Sequence, residues 1–199
     1  DREAAPMADA QKWTDHTIEV AGIKLHVSRA GKGAPLLLLH HDIGTLDQLP
    51  LYDTLAKSHD VIIPRYAGWG RSERPEWMRS VRDVAVMKRM LLASLKVEKA
   101  NLLGLGFGGW AAAEMATMAP NDVGKAVLVG PFGIKPNEGY ILDQAIVSYI
   151  DYPQSFFHDQ KAFKANFGDV STDQLEAGDI AREMCFRIAW KPYMYSQTL

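Results

Sequence analysis

Ala100-Asn101-Leu102-Leu103-Gly104-Leu105-Gly106-Phe107-Gly108-Gly109-Trp110-Ala111-Ala112-Ala113 is the stretch that decides the fold. Residues 100–103 read as a short strand. Four glycines in the next six positions make a tight turn, and a helix follows through Ala111–Ala119 until Pro120 stops it. Strand, glycines and helix in that order form a sharp turn in which the backbones of strand and helix come close.

The flanking segments repeat the alternation. Pro35–His40 is a continuous apolar run, the pattern of a strand buried on both faces, and Asp60–Pro64 is a second. Between them, residues 47–58 read as a helix. Val84, Met87, Leu91 and Leu95 fall at helical spacing within Val81–Lys96, so one face of that helix is core. Lys125–Val129 is the last clear strand, expected to be an inner one in the full fold because Ala126, Val127, Leu128 and Val129 are apolar toward both faces. Ahead of all this, His16–Val20 and Ile23–Val27 alternate around Ala21-Gly22 and predict a hairpin within residues 16–30. Strands alternating with helices predict an α/β fold: a mostly parallel sheet covered by helices on both faces.

The character changes after Gly133. Residues 134–199 lack a comparable strand but carry helical patterns and many aromatics, among them Tyr140, Tyr149, Phe156, Phe157, Phe163 and Phe167. Ser171-Thr172-Asp173-Gln174 fits a capping box opening a helix toward Ala189. The expected organisation is a core over residues 1–133 and a helical cap over 134–199.

Three local signatures stand at successive strand ends: His40-His41-Asp42-Ile43-Gly44, Arg65-Tyr66-Ala67-Gly68-Trp69-Gly70-Arg71-Ser72, and Gly104-Leu105-Gly106-Phe107-Gly108-Gly109. Their order resembles the cap-bearing branch of the α/β-hydrolase superfamily from about residue 16 to the chain end. The first is similar to that family's His-Gly-x-x-Gly oxyanion loop and the second to its Asp-x-x-Gly-x-Gly-x-Ser loop. The third stands where the nucleophile elbow Gly-x-Ser-x-Gly-Gly belongs. The resemblance places the nucleophile at Gly106 and the oxyanion-binding backbone amides at Asp42 and Phe107. It also implies a ligand pocket bordered by His40, His41, Gly44, Trp69, Gly108 and Trp110.

The chain departs from the pattern where the chemistry is carried. Gly106 has no hydroxyl, thiol or carboxylate, so no covalent intermediate can form there. Asp42, turned inward, would oppose a developing oxyanion; turned outward, it would cap its own turn. His41 replaces a glycine and adds bulk beside the pocket. None of the six histidines occupies the family's base position, and the chain ends at Leu199 before the later strands that carry the family's acid and base. A last strand left at the sheet edge would be a hydrophobic liability unless something covered it.

Competing readings are weaker. Gly104, Gly106 and Gly109 match G-x-G-x-x-G, but a dinucleotide site needs the first βα turn of its unit and a carboxylate at the end of the next strand. Here that strand ends in Gly130-Pro131-Phe132. The glycines are better explained by close strand–helix packing. His40, His41 and Asp42 are consecutive at a strand end, where neighbouring side chains alternate, so they do not make a metal site. Trp69 and Trp110 fit either a pocket wall or the core under the cap, and Cys185 among Met184 and Phe186 reads as a buried, inert thiol. Neither cofactor nor metal is expected.

Composition sets the outer bounds. The 22 Lys and Arg against 24 Asp and Glu leave a net charge of −2, which gives no electrostatic footprint for nucleic acid or an anionic membrane. Hydrophobics at 47% and charged residues at 23% are globular values. No run approaches the roughly 20 apolar residues of a membrane span. The opening Asp1–Pro6 has no signal-peptide core, and one cysteine cannot build a disulfide framework, so a cytoplasmic location is expected. The expected function is hydrolase-like by descent, without serine chemistry through Gly106: a pocket for a small apolar or ester-like molecule between core and cap. The alternative is an active ester, C–C or epoxide-type hydrolase whose remaining catalytic residues lie beyond Leu199, or whose nucleophile was substituted. The expected partners are a small-molecule ligand and, through the sheet edge, a second copy of the chain.

Overall fold

Turn chemistry sets the first strand pairing. Ala21 and Gly22 hold φ of 51° and 77°, left-handed at both central positions, which matches the twist of the flanking strands. β1 (Thr14–Val20) therefore returns directly as β2 (Ile23–Ala30), with Val20 opposite Ile23. The computed structural model describes residues 12–45, 49–142, 146–148, 151–168, 171–190 and 195. The remaining strands are β3 (Ala34–Leu39), β4 (His59–Pro64), β5 (Ala100–Leu105) and β6 (Val123–Val129). They join one six-stranded sheet in the order β1-β2-β4-β3-β5-β6, antiparallel as far as the β2–β4 pair and parallel beyond it.

Two apolar layers sandwich the central strands, as the continuous apolar runs require. Leu37, Leu39, Ile62 and Leu102 face one layer, where α2 (Val81–Ser94) and α3 (Phe107–Met118) pack. Leu36, Leu38, Val61 and Ile63 face the other, against Tyr52 and Ala56 of α1 (Pro50–Ala56). Successive leucines of β3 thus serve opposite layers, the period of two that a pleated strand imposes. Residues 47 and 48 of the expected first helix lie outside the described residues.

Ser80 and Asp83 start α2 reciprocally: the Asp83 amide donates to Ser80 Oγ at 3.1 Å, and the Ser80 amide to the Asp83 carboxylate at 3.0 Å. The helix ends two residues before its expected limit, where Lys96 turns left-handed with φ 57°. α3 starts at Phe107, four residues earlier than expected. Gly108 and Gly109 belong to the helix because its first turn lies directly on the strand ends. A Cβ at Gly108 would come 2.5 Å from the Leu39 carbonyl carbon and 2.7 Å from the His40 oxygen.

The part beyond Gly133 is helical, as expected: α4 (Asp151–Gln154), α5 (Gln160–Phe167) and α6 (Thr172–Ala189). The expected capping box opens α6, with the Ser171 amide donating to Gln174 Oε1 at 2.8 Å and the Gln174 amide to Ser171 Oγ at 3.3 Å. Ala181, Met184, Cys185 and Ile188 form its buried stripe and join the core that contains Trp69 and Phe107. Cys185 is free and buried. Tyr149 lies outside the described residues.

β6 ends the sheet among the described residues. There it pairs only with β5, and Val127, Leu128 and Val129 are 56%, 41% and 52% exposed, the apolar edge expected of this strand where nothing further pairs with it.

Two stability predictions come from this packing. Gly108→Ala forces α3 off the strand ends and is expected to cost about 1–3 kcal/mol, measured by urea denaturation. Lys88, on the buried face of α2, donates from Nζ to the Arg65 carbonyl at 2.9 Å and lies 4.8 Å from the Tyr66 ring centroid. Burial, helped by the like charge of Arg65, lowers the pKa of the Lys88 ammonium from 10.5 to about 7. Between those two values the unfolded chain holds the extra proton, so stability rises with pH across the window and is lost as pH falls through about 7. Lys88→Met is expected to flatten that rise; an unchanged slope of unfolding free energy against pH would rule Lys88 out as its source.

Candidate active site

The turn between β5 and α3 holds Gly106 at φ 53°, ψ −113°. An L side chain would pay about 1–3 kcal/mol to sit there, and glycine avoids that strain. The turn is clamped on both sides. The Gly106 amide donates to the Val129 carbonyl at 2.9 Å, while its own carbonyl accepts from Gly109 at 2.9 Å and Phe132 at 3.1 Å. The strand-to-helix turn is therefore tight and carries no side chain at position 106. The Phe107 ring is buried, stacked on Trp69 with centroids 5.8 Å apart. Its amide opens α3, among the N–H groups for which a helix supplies no acceptor of its own.

The imidazole of His41 occupies the space in front of Gly106. A Cβ at position 106 would fall 2.5 Å from His41 Cδ2 and nearer still to Nε2. On the other side of the ring, His41 Nδ1 is paired with the Asp42 carboxylate. Phe156 lies 4.7 Å from the imidazole centroid and Phe132 lies 5.9 Å away. The His41 side chain remains 24% exposed, whereas that of Asp42 is 0% exposed. Asp42 thus points inward and does not cap its own turn; its carboxylate lies against the neighbouring imidazole.

His40 has a different role from His41. It is fully buried, its Nδ1 donates to the His41 carbonyl at 2.8 Å, and its Nε2 accepts from the Tyr66 amide at 3.3 Å. Tyr66 OH donates back to the His40 carbonyl at 3.0 Å. Burial depresses the His40 pKa well below the ordinary imidazole value, which fits the neutral ring that these two bonds require. Burial likewise pushes the Tyr66 phenol well above its usual value, so it stays a donor. His40 is a pin between the loops after β3 and β4, with no surface to offer a ligand.

Trp69 resolves toward the core: it is buried, and its Nε1 donates to the Asp42 carbonyl at 2.8 Å. Gly44 holds φ 89°, and its amide closes the loop onto the His41 carbonyl at 3.1 Å. Trp110 is buried beneath Gly133, whose Cβ would meet the indole ring. Gly108 is packed on β3, as described above. Of the residues expected to border a ligand, His41 therefore keeps an open edge at the elbow, and His40, Trp69, Gly108 and Trp110 support it from behind. Phe132, Phe156 and the pairing of His41 with Asp42 escaped sequence reasoning. The available signal was the adjacency of an imidazole and a carboxylate together with a glycine that leaves room for a ring.

The α/β hydrolase fold family model matches residues 35–194. The chain is 35% identical over 122 residues to 2-hydroxymuconate semialdehyde hydrolase of Pseudomonas sp. strain CF600, covering 59% of this chain and 43% of that protein. It is 32% identical over 97 residues to a soluble epoxide hydrolase of Corynebacterium sp. strain C12, covering 48% of this chain and 34% of that one. The chain thus spans less than half the length of either relative. Among solved structures, 2-hydroxy-6-oxo-6-phenylhexa-2,4-dienoate hydrolase from Rhodococcus sp. strain RHA1 superposes with a TM-score of 0.67 at 19% identity, over 88% of this chain and 72% of that one, a likeness of fold. The sheet order, the clamped elbow and the family match over residues 35–194 together show that this chain belongs to the α/β-hydrolase fold family.

Proposed function

We propose that this chain binds a small apolar or ester-like molecule between core and cap and forms no acyl-enzyme at the elbow. The observation that carries the reading is Gly106, which has the elbow's backbone but no reactive group. The ligand's apolar surroundings are supplied by Phe132 from the core side and Phe156 from the cap, on either side of the exposed edge of His41. The relatives named above favour a second reading, an ester, C–C or epoxide-type hydrolase completed by residues outside this sequence. Both readings share the pocket and differ in what happens at position 106.

A reducing cytoplasmic setting accords with the single buried thiol of Cys185, and no described helix is long and apolar enough to cross a membrane. The exposed apolar side chains of β6 are the surface through which we expect copies of the chain to associate. Val127→Lys is expected to lower light scattering at high protein concentration while changing stability by no more than about 0.5 kcal/mol.

Exposure to a fluorophosphonate probe should leave residues 104–109 unlabelled, and a short-chain activated ester should give no acyl burst. Stoichiometric labelling in that segment, read by mass spectrometry, would overturn the proposal. Gly106→Ser is expected to restore little activity, because its Cβ collides with the His41 ring and its backbone is strained.

A further inference from the structure

We propose that two copies of this chain pair through the free edges of β6, antiparallel about a two-fold axis at Val127, so that their sheets run on as one. The inference rests on the association through β6 proposed above and gives it a partner, a direction and a register. Among the described residues β6 pairs only with β5, and every residue of it after Val123 is exposed. The N–H and C=O of one residue point to one side of a strand, and those of the next residue to the other. The Lys125 amide donates to Asn101 Oδ1 near the start of β5, and the Val129 carbonyl accepts from the Gly106 amide just past its end. Residues 125, 127 and 129 are thus turned to β5, and Ala126 and Leu128 aim their main-chain groups at the open edge. β6 carries no proline to blunt that edge, and Lys125 is its one charged residue.

The strand is complementary to itself in one antiparallel register. Residues aimed at the edge must meet residues aimed at the edge, so the axis has to pass through a residue rather than between two. Pairings centred on Ala126, or before it, bring in Gly124, where β6 is irregular. Ala100 stands opposite Val123 but Leu102 opposite Ala126, so β6 holds one residue more than β5 over that step. Pairings centred on Leu128, or after it, bring in Gly130, which lies beyond the strand with φ 50°. Centring on Val127 uses Lys125–Val129 alone, the regular part of the strand. Ala126 then exchanges both main-chain bonds with the partner's Leu128, small side chain against large. On the other face Val127 meets the partner's Val127, and Val129 lies along the aliphatic stem of the partner's Lys125. The two Lys125 side chains stand at opposite ends of the pairing, about 13 Å apart along the strands, so no like charges face each other.

The test joins sedimentation velocity to a cysteine scan of the purified chain. Over a concentration series the native chain should show a reversible equilibrium between monomer and dimer. Val127→Lys sets two ammonium groups face to face across the axis and should raise the dimer dissociation constant about tenfold or more. Single cysteines are then placed at 125, 126, 127, 128 and 129 and oxidised, with the native chain as control because Cys185 is buried. Val127→Cys puts the thiols on the axis. Facing Cα atoms of a pair without mutual hydrogen bonds lie about 4.5 Å apart there, within reach of a disulfide, so this variant should give covalent dimer. Lys125→Cys, Ala126→Cys, Leu128→Cys and Val129→Cys should give little. A cross-linking maximum at any other position, equal cross-linking at all of them, or an unchanged dissociation constant in Val127→Lys would overturn the register and leave association through β6 standing. A native chain that sediments as a monomer at every concentration would overturn both, leaving the edge to a strand of another protein.

Discussion

The first turn of α3 rests on the ends of β3 and β5 with no side chain between them, and the geometry of the site follows from that contact. A Cβ at Gly104 would meet the Gly108 backbone, and one at Gly108 would meet the carbonyls of Leu39 and His40. Because the two backbones touch, the loop that leaves β3 is held at a fixed, short distance from the β5–α3 turn. His41 and Asp42 are the next residues of that loop. Their approach to Gly106 is thus set by packing between backbones, which depends less on rotamer choice than contacts between long side chains do.

Holding this geometry requires polar groups in places where water cannot help them. His40, Asp42, Arg65, Ser72 and Lys88 are all buried around the loops that follow β3 and β4. Most are matched in ways that tie one loop to another. His40 bridges the His41 carbonyl and the Tyr66 amide, Trp69 reaches the Asp42 carbonyl, and Lys88 and Ser72 both donate to the Arg65 carbonyl. An unmade bond in such a setting costs about 1–3 kcal/mol, so each of these residues resists displacement of the loop it holds. α6 adds to the same structure, for its Met184 would collide with any side chain placed at Gly68. The loops after β3 and β4 and this helix therefore support one another.

Much of this was legible in the residues. The hairpin turn at Ala21-Gly22, the doubly buried strands, the capping box that opens α6 and the close packing of strand and helix around Gly104 and Gly108 each rest on a local rule, and each stands where that rule places it. What could not be read depends on neighbours distant in sequence. Alternation gives β6 two apolar faces but does not say what covers them, and Val127 to Val129 stand open. His40 and His41 are adjacent and chemically identical, yet one is a buried pin and the other faces the elbow. Only the position of Tyr66, on the loop after β4, decides which is which. The direction of Asp42 was equally undetermined, because a carboxylate at a turn can cap it or turn inward, and here it turns inward against the imidazole of His41.

Gly106 joins the two halves of the functional question. Its left-handed φ lets the strand-to-helix turn close without strain, so the scaffold gains from the absence of a side chain. The same absence leaves no hydroxyl, thiol or carboxylate at position 106. It also opens a space the size of a side chain at the focus of the turn, and the His41 ring fills it with a carboxylate behind it. Restoring a side chain at 106 would therefore do more than add a hydroxyl, since the incoming Cβ and the imidazole compete for one volume. The turn accepts glycine at this position, and a side chain on 106 and the ring of His41 exclude one another from the space above it.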